Sequence, residues 1–203
     1  MLKMRVVRGS RGRNLSYVLF DGSGEGVVID PSFSAGEILE ILAAEEIELK
    51  YIINTHGHRD HTEGNGWLAG KTGAKVAIHG SDARMLQNPP EVLLSDGDVL
   101  RVGEMEIQVI HTPGHTPGGI CLLLGSDLFT GDTLFTGNCG RTDLPGGSDE
   151  ELFGSLQRLK ELGENVRVHP GHFYWGEEST IGAECRENPA MVAGNLGEFR
   201  LVP

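Results

Sequence analysis

The sequence predicts an α+β fold in which two β-sheets pack face to face and helices cover the outer faces. The chain opens with short apolar segments separated by glycine-rich turns, which is typical of antiparallel strands. A segment with helical spacing follows, then a second series of strands, then a second helical segment. The 30 glycines suit strands joined by tight turns better than a helical bundle.

The first half of the chain alternates strands with two helices. Three strands are predicted at residues 3–8, 15–20 and 26–30, where β-prone residues lie between turns. Apolar residues at helical spacing predict a helix over residues 34–48, and Ser34 with Glu37 resembles a capping box. The remaining elements of this half are a strand at 50–54, a helix at 62–71 and a strand at 75–79.

The second half repeats the pattern with more strands. Leu152, Leu156 and Leu159 share one face of a helix predicted at residues 148–162. A short closing helix is predicted at residues 179–187. The strands of this half are predicted at 98–102, 105–111, 119–124, 127–131 and 166–169.

Length and composition set the outer limits of the function. A chain of 203 residues predicts a single domain over residues 1–203. The net charge of −12 argues against a nucleic-acid groove as the main binding site, because such grooves carry clustered Lys and Arg. We also expect no membrane span, since the apolar runs are short, and no disulfide framework from three cysteines. The start lacks a signal-peptide pattern, so a cytoplasmic location is expected.

The densest cluster of reactive side chains follows the predicted strand at 50–54. It consists of His56, His58, Asp60 and His61 within six positions. Imidazole and carboxylate are the ligands that zinc and iron take in proteins. The cluster lies on the turn that leaves a buried strand, so the sequence predicts a metal site there.

The same arrangement of strand, tight turn and ligand-type side chain recurs three times. His115 follows the strand at 105–111 through a Pro-Gly turn, Asp132 follows the strand at 127–131, and His172 follows Pro170-Gly171. Strand ends on a rigid sheet hold side chains with the accuracy that a metal needs. His111 and His169 precede two of these positions, and each is either an orienting partner of a ligand or a packing residue.

Together, His-x-His-x-Asp-His, Thr-Pro-Gly-His, Gly-Asp and Pro-Gly-His resemble the metallo-β-lactamase superfamily over residues 52–172. This resemblance implies a four-layer αββα sandwich with two metal ions at one edge. It implies that His56, His58 and His115 bind the first metal, that Asp60, His61 and His172 bind the second, and that Asp132 bridges them.

The implied chemistry is hydrolysis. Two divalent ions about 3.5–4 Å apart share a hydroxide that attacks a carbonyl carbon. Asp60 and Asp132 are the carboxylates able to orient it and accept its proton, so they are the predicted catalytic residues. Zinc is the expected metal, with iron or manganese as alternatives, because the same nitrogen and oxygen ligands accept all three.

Two branches of the superfamily do not fit the sequence. Asp132 stands where the zinc β-lactamases usually place a cysteine, which argues against β-lactam hydrolysis. His58 stands where the diiron flavoproteins have a glutamate, which argues against their electron-transfer chemistry.

The stretch from Cys139 to Asp143 indicates the class of substrate. Cys-Gly-Arg after Gly-Asp-Thr-Leu-Phe resembles the glyoxalase II group, which hydrolyses acyl-glutathione thioesters. The resemblance implies that Arg141 and Cys139 contact the substrate, a small acyl-thioester. The alternative for Arg141 is an ion pair with Asp143, and for Cys139 a packing role. The C-terminal helical domain of glyoxalase II is expected to be absent, which leaves glutathione itself in question.

The same stretch also resembles the persulfide dioxygenases. That resemblance implies one iron held by His56, His115 and Asp132, a facial triad with open positions. The Pro-Gly-His at residues 170–172 is the hydrolase pattern, whereas the dioxygenases tend to have Pro-Ala-His. A third hypothesis is a metal-binding protein without catalysis, against which the presence of all seven ligand positions argues.

Overall fold

Two six-stranded β-sheets form the centre of the structure, a computed structural model that describes residues 2–9 and 12–202. The first sheet contains strands β1 to β6 in chain order. Strand β2 pairs antiparallel with both β1 and β3. From β3 to β6, each strand pairs in parallel with the next. Their bounds are β1 (Lys3–Arg8), β2 (Leu15–Phe20), β3 (Glu25–Ile29), β4 (Glu48–Ile53), β5 (Lys75–His79) and β6 (Val92–Leu94).

The second sheet comes from the second half of the chain. Its strands are β7 (Val99–Val102), β8 (Met105–His111), β9 (Ile120–Leu124), β10 (Asp127–Gly131), β13 (Arg167–Pro170) and β14 (Ser179–Thr180). They lie in the order β14-β13-β10-β9-β8-β7, and β10 pairs with β13 in parallel. A small hairpin, β11 (Leu134–Phe135) and β12 (Asn138–Cys139), stands apart from both sheets.

Helices cover the outer faces of both sheets. They are α1 (Ala35–Ala44), α2 (Arg59–Thr62), α3 (Asn65–Thr72), α4 (Asp149–Lys160), α5 (Ile181–Glu187), α6 (Pro189–Val192) and α7 (Leu196–Phe199). Apolar residues of α1 and α3 join a buried cluster with the first sheet, and those of α4 to α7 join one with the second. The four-layer αββα sandwich is therefore confirmed. No helix within the described ranges is long and apolar enough to cross a membrane.

Strand β2 shows how the sequence specifies these layers. Leu15, Tyr17 and Leu19 belong to the cluster between the two sheets, whereas Val18 and Phe20 belong to the cluster under the helices. Successive side chains of a strand point to opposite faces, so a strand covered on both sides needs an uninterrupted apolar run. All six residues of β2 are buried.

Several predicted bounds were wrong. The capping box is absent, because the Ser34 side chain makes no bond to the first turn of α1. That helix ends at Ala44, and Glu46 adopts a positive φ of 55° before β4 begins. The helix predicted over 62–71 is α3, which begins three residues later at Asn65, and the single-turn helix α2 before it was not predicted. The short elements β6, β11, β12, β14, α6 and α7 were not predicted.

Candidate metal centre

All seven predicted ligand residues lie at one edge of the sandwich. His56 and His58 follow β4, and Asp60 and His61 are in the single-turn helix α2. The other three positions follow strands β8, β10 and β13, which run in the same direction, so the loops that leave them meet at that edge. These loops carry His115, Asp132 and His172.

Three histidines converge at the first half of the centre. One ring nitrogen from each of His56, His58 and His115 lies within 4.8 Å of the other two. Nδ1 of His58 is 2.9 Å from Nε2 of His115. Neighbouring nitrogens of a tetrahedral zinc ion are about 3.3 Å apart, because each Zn–N bond is about 2.0–2.1 Å long. The spacing suits one metal ion.

Asp60, His61 and His172 converge in the same way at the second half. Nε2 of His61 is 3.1 Å from Nε2 of His172, and Nε2 of His172 is 3.5 Å from Oδ2 of Asp60. Asp60 is the most accessible of these groups, with 42% of its side chain exposed. This trio offers two nitrogens and one oxygen to a second ion.

Asp132 lies between the two trios. Its Oδ1 is 3.4 Å from Nε2 of His61, while its Oδ2 is 3.5 Å from Nε2 of His115 and 3.4 Å from Nε2 of His172. Both trios are thus within reach of one carboxylate. The structure brings the seven predicted residues together in the two groups that the resemblance implies.

Backbone carbonyls fix the orientation of two of the histidine rings. Nδ1–H of His115 donates to the carbonyl oxygen of Arg141 at 2.7 Å, and Nδ1–H of His172 donates to that of Gly12 at 2.7 Å. A carbonyl only accepts, so the proton of each neutral ring is on Nδ1. The Nε2 lone pair of each ring is left for a metal.

Asp30 and Thr55, which the sequence analysis missed, orient two further rings. Asp30 Oδ2 accepts from Nδ1–H of His61 at 2.9 Å and from the Thr55 hydroxyl at 2.6 Å. Since that hydroxyl donates to Asp30, its oxygen accepts from Nδ1–H of His56, 3.1 Å away. Asp30 ends an apolar strand-like run, the same signal that identified Asp132, and it could have been found that way.

Two buried atoms at the centre lack a hydrogen-bond partner within the described part of the chain. They are Nε2 of His56, in the first trio, and Oδ1 of Asp132, which lies 3.4 Å from Nε2 of His61. A buried polar atom without a partner is costly, and a bound ion removes that cost. The ligand set and these two orphaned atoms fit divalent metal ions.

The pKa shifts of the centre follow from burial and from charge. Burial, with help from neighbouring His61, holds the pKa of His56 well below its usual value, so this ring is neutral. Burial would also lower the pKa of His61, but the carboxylates of Asp132 and Asp30 outweigh it and raise the pKa to about 9. For Asp132 burial would raise the pKa, yet His61 and His172 hold it well below its usual range.

A glycine next to Asp132 is required by close packing. A Cβ at Gly171 would lie 2.5 Å from Oδ1 of Asp132. The amide of Gly171 also donates to the carbonyl oxygen of Gly131 at 2.8 Å, which ties β10 to β13. The Pro-Gly-His pattern therefore brings His172 close to Asp132.

The predicted substrate residues lie on the loop after β11. The guanidinium of Arg141 forms two hydrogen bonds of 2.6 Å with Asp143, and both side chains are about two-thirds exposed. The ion pair considered as an alternative is therefore present. Arg141 also lines a cleft of about 350 Å³ between this loop, Asp149 of α4 and the segment from Phe199 to Val202.

Cys139 lines the same cleft but is half-buried against the apolar cluster under α4 to α7. Burial, and then the charge of Asp149, raise the pKa of Cys139 to about 12. We expect this thiol to be unreactive, since at pH 8 only about one molecule in ten thousand carries the thiolate. Iodoacetamide should label Cys139 about a hundredfold more slowly in the folded protein than in the guanidinium-unfolded protein. Mass spectrometry measures the two labelling rates. Equal labelling rates would contradict this prediction and would show that the Cys139 thiol is reactive in the folded protein.

The remaining histidines do not contact the ligands. His169 donates from Nε2 to Asp127 at 2.7 Å and stacks on Phe129, and His111 stacks on His79. Of the two roles left open for His111 and His169, the contacts support packing.

An aromatic surface beside the second trio was also missed by the sequence analysis. Tyr174 stacks on His172 with ring centroids 4.8 Å apart, and Phe135 contacts both Tyr174 and Trp175. Tyr174 and Trp175 are exposed. Burial and the charges of Asp132 and Asp60 raise the pKa of Tyr174, which places its hydroxyl in the field of the centre.

Comparison with known proteins agrees with this geometry. The Metallo-beta-lactamase superfamily matches residues 10–172. A hydroxyacylglutathione hydrolase of Pelagibacter ubique is 36% identical over 82% of this chain and 69% of its own. An uncharacterised protein of Aquifex aeolicus is 39% identical over 90% of this chain and 92% of its own.

A solved structure resembles the whole described fold. ETHE1 from Myxococcus xanthus superposes with a TM-score of 0.91 and 33% identity, covering 99% of this chain and 92% of its own. The family match extends over well more than half of the 203 residues and includes all seven positions of the centre. The chain belongs to the Metallo-beta-lactamase superfamily.

Proposed function

We propose that this metal-dependent hydrolase of the superfamily is binuclear and hydrolyses small acyl-thioesters, as the glyoxalase II group does. The observation that carries the proposal is the position of Asp132. Its two oxygens face histidines of both ligand trios at 3.4–3.5 Å, the arrangement of a carboxylate shared by two ions. A centre for one metal would not need Asp60, His61 and His172 gathered at a second point.

Each trio has a defined role in this proposal. His56, His58 and His115 would hold one divalent ion, Asp60, His61 and His172 the other, and Asp132 both. Two ions held there would supply a nucleophilic hydroxide at neutral pH and would polarise the substrate carbonyl. Zinc is the proposed metal, with iron or manganese as alternatives, since the donor set accepts all three.

The carboxylates of Asp132 and Asp60 differ in burial, and we assign them different roles in the reaction. Asp132 is buried and ionised, and it neutralises positive charge between the trios. Asp60 is more exposed and accepts a hydrogen bond from Asn14 Nδ2 at 3.1 Å. Asp60 is therefore placed to orient the attacking water and to take its proton.

The substrate surface supports a small organic thioester. The cleft of about 350 Å³ lies beside the loop whose Arg141 carbonyl orients His115, and pockets of this size accept small molecules. The aromatic surface of Phe135, Tyr174 and Trp175 offers an apolar wall beside the second trio. Similarity to the hydroxyacylglutathione hydrolase supports the same substrate class.

Metal analysis tests the binuclear part of the proposal directly. Protein purified without added metal is expected to contain two divalent ions per chain. A single ion per chain at saturating metal would contradict the binuclear site and would leave Asp60, His61 and His172 without a ligand role.

Arg141→Ala tests whether the guanidinium binds a carboxylate of the substrate. We expect KM to rise about tenfold with kcat changed little, the result of losing an interaction made equally in the ground state and the transition state. The backbone carbonyl that orients His115 is kept in this variant. The measurement is steady-state hydrolysis of lactoylglutathione.

Arg101→Ala is the matched control for Arg141. Arg101 is also exposed and donates from Nε to a carboxylate, Glu106, at 2.9 Å, but it lies on β7 away from the centre. Its removal should leave KM unchanged. Unchanged KM in the Arg141 variant as well would show that the pair with Asp143 is only structural.

A persulfide dioxygenase is the second candidate. His56, His115 and Asp132 lie together and could hold one iron with open positions. The likeness to ETHE1 supports this candidate as well as the hydrolase relatives support the first. Oxygen uptake with glutathione persulfide by a protein containing one iron per chain would favour it.

The proposed setting is the cytoplasm. All three cysteines of the chain are free thiols, as a reducing compartment keeps them. With a net charge of −12 the proposed partner is a small molecule, with neither nucleic acid nor a membrane involved.

A further inference from the structure

The side chain of Asp82 lies between the two loops that carry the first histidine trio. It is fully buried. Its Oδ2 accepts from the backbone N–H of Gly57 at 2.8 Å and from the hydroxyl of Thr116 at 2.7 Å. Its Oδ1 accepts from the backbone N–H of Gly118 at 2.7 Å. One carboxylate thus joins the loop after β4 to the loop after β8.

Two of the three donors are direct neighbours of the ligands along the chain, and the third, Gly118, is three residues after His115. Gly57 separates His56 from His58, and Thr116 follows His115 directly. Hydrogen bonds to an ionised carboxylate are stronger and shorter than those between neutral groups. Asp82 therefore holds the backbone between His56 and His58 and the segment that follows His115.

Asp82 does not cap the turn that follows it, although its position along the chain would predict that role. It precedes the 3-10 turn Ala83–Met85, where an aspartate commonly caps the free N–H groups. Its side chain makes no capping bond to that turn. Both oxygens instead reach segments 25 to 36 residues away.

Close packing around Asp82 leaves no room for a different arrangement. A Cβ at Gly118 would lie 2.6 Å from Cγ of Asp82, and a Cβ at Gly57 would lie 2.6 Å from Cβ of Met85. Both glycines let the backbone approach the Asp82 turn. The two loops and the turn are thus fitted to one another.

We propose that Asp82 is a positioning residue of the metal centre, which sets the distance between the His56–His58 loop and the His115 loop. Its carboxylate makes no contact with the substrate in this role. The inference applies to either candidate reaction, because His56 and His115 are ligands in both. It concerns metal affinity and needs no assumption about the substrate.

Asp82→Asn preserves the shape of the side chain but replaces one acceptor oxygen with an NH₂ group. Whichever way the amide turns, that group faces the N–H of Gly57 or of Gly118. We expect the affinity for one of the two metal ions to fall about 10- to 100-fold, as for partners that orient metal ligands elsewhere. The second ion should be held as in the wild type.

The experiment titrates metal-stripped full-length protein with Zn²⁺ against a chromophoric chelator. Co²⁺ in place of Zn²⁺ gives a visible spectrum of the same sites. The Asp82→Asn protein should show one weakened binding step and an altered Co²⁺ spectrum. A higher concentration of free metal should restore both the occupancy of the weakened site and the spectrum. Wild-type affinities in this variant would overturn the proposal.

Asp21→Asn is the matched control. Asp21 is a buried carboxylate at the opposite edge of the sheets, and it accepts hydrogen bonds from the backbone N–H groups of Ser23, at 2.8 Å, and of Glu104. Its loss should lower thermal stability without changing metal affinity. An equal loss of affinity in this control would show that Asp82 acts through general stability, which also overturns the proposal.

Thr116→Val is a second test of the role of Asp82, for use if the Asp82→Asn variant does not fold. Valine has the shape of threonine and removes one of the three hydrogen bonds to Asp82, while His115 keeps its own contacts. We expect a smaller loss of affinity at the same binding step, about threefold to tenfold. Unchanged affinity in a folded Thr116 variant would refute the role of Asp82.

Discussion

The Asp132→Ala variant should bind only one of the two metal ions, and its kcat/KM should fall about a thousandfold. The carboxylate lies between histidines of both trios, and in the proposed binuclear centre it would provide the negative charge between the two cations. Electrostatic stabilisation by a metal contributes several kcal/mol to a transition state, and each 1.4 kcal/mol is a factor of ten in rate. Metal content of the purified variant and steady-state kinetics at saturating metal measure the two losses.

Asp127→Ala distinguishes a ligand from a buried carboxylate of the same strand. Asp127 stands at the start of β10, is buried, and accepts from Nε2–H of His169 at 2.7 Å. Its removal should lower the melting temperature but keep both ions. Two ions retained in the Asp132 variant would remove that residue from the bridging position.

The candidate centre was predictable because its residues follow strands. The predicted strand bounds near residues 54, 111, 131 and 169 agree with the observed ends of β4, β8, β10 and β13 to within a residue. Ligand-type residues after strand ends therefore met at one edge of the sandwich. The grouping into two trios came from the family resemblance, since spacing along the chain does not say which loops face each other.

The groups that orient the ligands could not be found in the same way. Asp82 lies in an ordinary turn, and only the folded chain brings it to Gly57 and Thr116. The carbonyls of Gly12 and Arg141 carry no side-chain signal at all, because any residue supplies them. Such contacts depend on tertiary structure and leave no pattern in a single sequence.

The short elements were missed for a related reason. Strand β6 has three residues and is defined by its pairing with β5, and the β11–β12 hairpin has two residues in each strand. Segments of this length show no periodicity. They form because neighbouring strands and helices supply their hydrogen bonds and cover their side chains.

We expect lactoylglutathione to be hydrolysed at least about tenfold faster than the matched oxygen ester. A thiolate leaves without a proton because thiols are far more acidic than alcohols. An alkoxide needs a general acid, and the buried carboxylate of the centre, Asp132, is ionised and cannot donate. In the proposed centre His61 and His115 would serve as metal ligands, with their Nδ1–H groups bonded to Asp30 and to the carbonyl oxygen of Arg141.

Removal of metal should abolish this activity, because the nucleophile in the proposed mechanism is a hydroxide that the metal ions generate. Dialysis against a chelator is expected to lower thioester hydrolysis to the uncatalysed rate, and added Zn²⁺, Fe²⁺ or Mn²⁺ should restore it. Circular dichroism of the metal-free protein serves as the control that the fold persists. Oxygen consumption with glutathione persulfide, together with no thioester cleavage under any of the three metals, would reject the hydrolase. The proposal would then be a centre for one iron, with His56, His115 and Asp132 as its ligands.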